Sequence, residues 1–171
     1  SYSVTGVQTC ALPILSMASR DAANRIIMAS IVEAETRVPD EAALIAGVYW
    51  NRLNPRVFPL GRLQADPTVA YGCNALVRPR APSCDTFQGV LGRRQLDDPQ
   101  NPYNTYRHAG LPPGPICAPS LNSLIAAFRP ATTPYLYFVV GEGGRHRFAE
   151  TLEAHNRNVE AYRKARETTA Q

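Results

Sequence analysis

Histidine, cysteine, methionine and tryptophan are all scarce in this chain of 171 residues, and each scarcity narrows what it can do. The three histidines, His108, His146 and His155, lie too far apart in sequence to form a metal-ligand motif, and the four cysteines lack the paired spacing of a zinc site. No metal and no cofactor is expected. No apolar run reaches the roughly 18 to 20 residues that cross a membrane, and no internal repeat or linker divides the chain. Charged residues make up only 19% of it, with 18 Lys and Arg against 14 Asp and Glu, a net charge of +4. The basic side chains are scattered and not interleaved with aromatics, which argues against nucleic acid as a partner. A polyanionic polymer suits that sign of charge equally well. What is present, 44% hydrophobic residues in a chain of this length, is enough for one globular domain with a real core, and disorder is excluded.

The first residues are set aside. Residues 4–14, VTGVQTCALPI, read as a common sequencing adapter translated in one frame. They mimic a short apolar signal segment but have no basic n-region. Residues 1–16 are therefore expected to be non-native, and residues 17–171 to form the domain. Without Cys10, the cysteines are Cys73, Cys84 and Cys117. Cys73 and Cys84 bracket a polar, Pro-rich loop. A disulfide closing it would fit an oxidising compartment; two unpaired small residues fit the spacing as well.

Residues 24–36, NRIIMASIVEAET, place two carboxylates on a strongly apolar helix. At about 100° per residue, Glu35 falls about 20° from Met28, about 40° from Ile31 and about 60° from Val32, inside the bulky apolar stripe. Glu33 falls about 160° away, beside Ala29, Ser30 and Arg37, where it should meet solvent or a cation. A carboxyl group among apolar side chains loses hydration in its charged form, so its pKa rises and it can hold a proton to donate near neutral pH. Glu35 is thus the candidate general acid. A buried, hydrogen-bonded core glutamate is the competing reading, since structural networks also perturb carboxylates.

The rest of the chain is read in order. A first helix from Met17, with Asp21 as cap, should end before Val38-Pro39, which leaves Glu35 near a C-terminus whose dipole also disfavours negative charge. Asp40 should cap a second helix, EAALIAGVYWNRL, on which Trp50 is core and not a sugar platform. Residues 57–72 alternate polar and aliphatic groups and suggest strand or loop lining a groove. A short helix is expected after Asp85. Residues 96–114, rich in Pro, Asn, Tyr and Gly, cannot be a regular helix or a central strand, and a long ordered loop of this kind is commonly functional. A helix over residues 119–128, a hairpin from YLYFVV through GEGG to residues 146–149, and a C-terminal helix over residues 151–167 complete the chain. The fold class is α+β: one domain with the acid on its N-terminal helix, a small β-hairpin region and a C-terminal helix.

Taken in order, IVEAET, the NRL that starts at Asn51, RLQADPTVAYG, NPYNTYRHAGLPPGPICAPS, PYLYFVVG and the HRF before AHN resemble the endolytic murein transglycosylase family, YceG-like, across residues 23–164. Each block alone is weak; six in this order are specific. The resemblance implies cleavage of MurNAc-β-1,4-GlcNAc bonds within peptidoglycan glycan strands, at the periplasmic face of the bacterial inner membrane and beside peptidoglycan synthases. It implies that Glu35, second of the Glu-x-Glu pair, is catalytic. It also implies that Gln64, Asp66, Asn104, Thr105, Tyr106 and His146 line the sugar cleft, with Asp66 orienting or tuning the acid. His146 is read equally well as a structural, hydrogen-bonded histidine. Pro112, Pro113 and Gly114 would shape the cleft wall, and Cys117 would be a small packing residue. Members of the family usually carry a membrane-spanning helix and a small wall-binding module upstream, so any membrane attachment is expected from that helix alone.

Carboxylate count points to the mechanism. Most glycoside hydrolases need two carboxyl groups on opposite sides of the bond, and Glu35 has no obvious partner in an equivalent setting. A single acid can protonate the leaving oxygen while the substrate's own C6 hydroxyl closes on C1, forming a 1,6-anhydro end. Two alternatives stand: a lysozyme-like muramidase with Asp66 as second carboxylate, and a peptidoglycan-binding module without catalysis.

Overall fold

A computed structural model describes residues 5–75 and 78–169, with side chains over residues 19–167 except Glu142. The order is α1 (Thr5–Glu35), a 3₁₀ turn (Pro39–Glu41), α2 (Ala42–Leu53), α3 (Asp66–Asn74), a second 3₁₀ turn (Pro82–Thr86), α4 (Arg93–Leu96), α5 (Leu121–Phe128), β1 (Tyr137–Val140), β2 (His146–Ala149) and α6 (Leu152–Thr169). The helices with one two-stranded antiparallel sheet make the expected α+β domain. Residues 1–4 of the segment expected to be non-native lie outside the described residues, as do the side chains of residues 5–18. Among the described residues no helix is long and apolar enough to cross a membrane.

The apolar stripe of α1 builds the core. Met28, Ala29, Ile31 and Val32 are fully buried, and α2 and α5 pack over them with Ile45, Ala46, Tyr49, Ala126 and Ala127. Each large aliphatic side chain removed from water in this way contributes about 1.5–3 kcal/mol. Trp50 joins the same core, its indole N–H donating to the Ala127 carbonyl at 3.3 Å. Gly47 lets the chain after α5 lie directly on α2: a Cβ there would collide with the Ala131 carbonyl, and the Ala131 amide bonds to Ala43 at 2.9 Å.

α1 begins at Thr5, well before the expected Met17, so Asp21 is no cap; it lies within the helix and pairs with Arg25 one turn on at 2.8 Å. The other end falls where Val38-Pro39 requires, with Glu35 as the last helical residue. Asp40 does not cap α2 either. It sits in the 3₁₀ turn and pairs with Arg145 at 2.7 Å, fastening the hairpin turn to the start of α2.

The hairpin sets Tyr137 opposite Ala149 and Val140 opposite His146. Its rings bridge two helices: Phe138 meets Tyr49 of α2 edge-on at 5.6 Å, and Tyr137 stacks on His155 of α6 at 5.3 Å.

The stretch read as strand or loop is a turn-rich loop as far as Ala65, with one isolated bridge from Arg62 to Gly110. α3 then starts at Asp66, with Pro67 in its first turn, where a missing N–H costs no hydrogen bond. No α-helix forms between Asp85 and Gly92; a 3₁₀ turn spans Asp85 and α4 starts only at Arg93. A disulfide joins Cys73 of α3 to Cys84 of this turn. Cys117 is free and exposed, not packed, and its thiol donates to the Ser30 carbonyl at 3.2 Å.

The irregular loop before α5 is held by buried asparagines. Asn101 donates to the Val69 carbonyl at 3.1 Å and accepts from the Tyr103 amide at 3.0 Å; Gly72 leaves room for it, because a Cβ there would overlap its amide. This loop runs beside the stretch that leads into α3, joined by Gln64 N–H to Thr105 O at 3.1 Å and Gly110 N–H to Gly61 O at 2.7 Å. That pairing brings Tyr106 against Asp66.

Candidate active site

Glu35 ends α1 beneath an open groove. Burial is the largest influence on its carboxyl group and raises the pKa to about 7; the negative charge of Asp66 raises it further, while a hydrogen bond from Tyr49 and the charge of Arg37 oppose the rise. The Tyr49 hydroxyl, on α2, donates to Oε1 at 2.7 Å. Tyr49 is itself only 2% exposed, and burial first, then the adjacent Glu35 charge, push its phenol well above the usual range, so it remains a donor.

Two cavities meet at this carboxyl group. One, about 330 Å³, is lined by Glu35, Tyr49, Arg52, Gln64, Asp66 and Tyr106, and closed by Tyr137, Phe138, Leu152 and His155. The other, about 500 Å³, is lined by Glu35, Arg37, Asp66, the 89–91 loop and His146. Glu35 and Asp66 belong to both, so a long substrate could cross from one to the other over the acid.

Of the residues singled out from the sequence, the structure brings Glu35, Gln64, Asp66 and Tyr106 together. The Tyr106 hydroxyl donates to Asp66 Oδ1 at 2.6 Å, and burial raises its pKa. Asn104 and Thr105 do not line either cavity. Asn104 has no exposure and spends its amide on the carbonyls of Gln95, Leu96 and Asp98, and Thr105, 1% exposed, accepts the Ala65 amide through Oγ1. They shape the backbone that carries Gln64 and Tyr106. His146 borders the second cavity, but its side chain is 3% exposed and its Nδ1 lies 2.8 Å from Glu41 Oε2. Pro112, Pro113 and Gly114 line neither cavity.

Glu33 is partly open to solvent, as expected, and among the described residues it pairs with no cation. It accepts from the Ser120 amide at 3.1 Å and from the Ser120 and Ser123 hydroxyls at 2.6 Å, and these bonds, Ser120's hydroxyl first, hold its pKa below the usual carboxylate value. It therefore reinforces the N-terminus of α5, which Ser120 caps.

Tyr49, Arg52, Tyr137 and His155 were not anticipated as site residues. Tyr49 and Arg52 lie three apart on α2 and so share a face. Arg52 stands in the NRL block, where a buried arginine on a core helix is the available signal.

A helical α+β domain holding one protonatable carboxyl group where two halves of a groove meet is the class of protein that this fold and site define. The family model described as YceG-like matches residues 12–161. The chain belongs to the YceG-like family. It is 36% identical over 137 residues to an endolytic murein transglycosylase of Bacillus subtilis, covering 80% of this chain and 34% of the relative. It is 33% identical over 135 residues to an endolytic murein transglycosylase of Streptococcus pneumoniae, covering 78% of this chain and 22% of the relative. The chain thus spans about a third or less of the curated relatives it matches. A crystal structure of a YceG-like protein from Listeria monocytogenes shares the fold with a TM-score of 0.59 at 34% identity, over 77% of this chain and 37% of that one.

Proposed function

We propose that this domain is an endolytic peptidoglycan lytic transglycosylase that cuts MurNAc-β-1,4-GlcNAc bonds within glycan strands. The observation that carries this reading is the position of Glu35: a carboxyl group with a pKa of about 7, at the junction of two cavities. A groove open on both sides of the acid suits a strand that continues in both directions.

Glu35, protonated, gives its proton to the glycosidic oxygen as the C1–O bond breaks, and the leaving sugar departs with a new hydroxyl. The muramic C6 hydroxyl bonds to C1 and loses its proton to the Glu35 carboxylate, which is then ready for the next cut. No water is consumed. Tyr49 steadies one carboxyl oxygen throughout and favours the charged form that exists between the two proton transfers. The work would take place on nascent strands at the periplasmic face of the inner membrane, beside peptidoglycan synthases.

Asp66 lines both cavities, and that favours one second reading, a muramidase in which Asp66 serves as the second carboxylate. The test is to incubate uncross-linked strands with the wild-type protein and with Glu35→Gln, and to weigh the fragments by mass spectrometry. Internal fragments from the wild type and at least about a hundredfold slower cutting by Glu35→Gln are expected. An active Glu35→Gln protein removes the assignment, a ladder of single disaccharides removes its endolytic part, and no cutting at all leaves a binding module.

A further inference from the structure

We infer that Gln64 recognises the carbonyl oxygen of a sugar's 2-acetamido group in the groove, and that Arg52 is the positioning residue that orients it. Arg52 is 7% exposed, with its guanidinium 4.7 Å from the centre of the Phe58 ring and 5.6 Å from that of Tyr137. From there Nη2 donates to the Gln64 side-chain oxygen. A guanidinium has no acceptor, so the amide atom facing it must be the oxygen, and the Gln64 nitrogen is turned the other way. Among the described residues no hydrogen bond takes that nitrogen, and Gln64 lines the cavity that Glu35 lines. The result is a neutral N–H donor of fixed orientation in a site that also holds the carboxyl groups of Glu35 and Asp66.

The backbone at Gln64 has φ 54, the left-handed region that favours glycine, and the Thr105 carbonyl holds it there through the Gln64 amide. A side chain kept at such a position points to a use for it. Phe138 and the half-exposed Leu152 give the same cavity an apolar wall. Donor beside apolar surface matches an acetamido group, with its acceptor oxygen and its methyl. The inference rests on the proposed glycan substrate, whose sugars carry this group, and it names the part of that substrate read by Gln64.

The test measures binding of acetylated and chemically N-deacetylated glycan strands to the Glu35→Gln protein, which removes turnover, in salt high enough to screen the amine charge. At least a tenfold preference for acetylated strands is expected. Adding Gln64→Glu keeps an acceptor for Arg52, so thermal stability should hold while the preference falls to about one. Arg52→Met should also weaken the preference, and Arg52→Lys, which can still donate to Gln64, should restore part of it. Equal binding of both strands by the Glu35→Gln protein, or a preference that survives Gln64→Glu, overturns the inference. A preference for acetylated strands in a protein whose wild type cuts nothing would instead overturn the transglycosylase reading and leave this one standing.

Discussion

The enclosure that lets Glu35 hold a proton near neutral pH also costs the fold stability once the group ionises. With a pKa raised from 4.5 to about 7, its contribution is fully present below pH 4.5 and is lost as pH rises through 7, about 3 kcal/mol in all. Glu35→Gln, which can still accept from Tyr49, should therefore melt roughly 6–12 °C above the wild type at pH 8 and nearly level with it at pH 4, by calorimetry. Equal melting at both values would mean that the carboxyl group is not enclosed. Its two neighbours should move the alkaline limb of the activity profile in opposite directions. Tyr49→Phe removes a bond that lowers the Glu35 pKa and should shift the limb to higher pH; Asp66→Asn removes a charge that raises it and should shift the limb lower. Shifts of the same sign would refute this electrostatic account. Glu35 was legible in the sequence because a helical wheel needs only the period, and burial follows from it. Asn104 and Thr105 were not, because a polar residue in an irregular loop serves its own backbone or a ligand with the same side chain.

At the scale of elements, α5 depends on a residue from another helix. Glu33 supplies three hydrogen bonds to the Ser120–Ser123 turn. Glu33→Gln should lower stability by about 1 kcal/mol after allowance for solvent exposure, yet leave most of the cleavage activity, which separates the two carboxylates of the Glu-x-Glu pair. Near-complete loss of cutting by a folded Glu33→Gln protein would reverse their roles. The proline that ends α1, the GEGG turn of the hairpin and the period of α6 could be read locally. α3 could not: its apolar positions fit a strand as well as a helix, and burial of Val69 and Cys73 together with Pro67 in the first turn selects the helix. The reach of α1 back to Thr5 was missed because the adapter-like stretch had been set aside.

Across the whole molecule, elements distant in sequence converge on one carboxyl group. α1 delivers it, α2 supplies Tyr49 and Arg52, the pairing of two loops brings Gln64, Asp66 and Tyr106, and the hairpin with α6 closes one end of the groove. Four of the seven residues chosen from the sequence meet there. Those that were missed come from helices and the hairpin, whose aromatic and basic side chains looked like ordinary core and surface. The central claim is that this convergence provides one acid and lets the substrate's own hydroxyl take the place of water. The most direct measurement is mass spectrometry of the new strand ends after cleavage in isotopically labelled water. Ends lighter than a reducing end by one water, free of label and absent when Glu35 is Gln, are the predicted result; reducing ends that carry the labelled oxygen would contradict it.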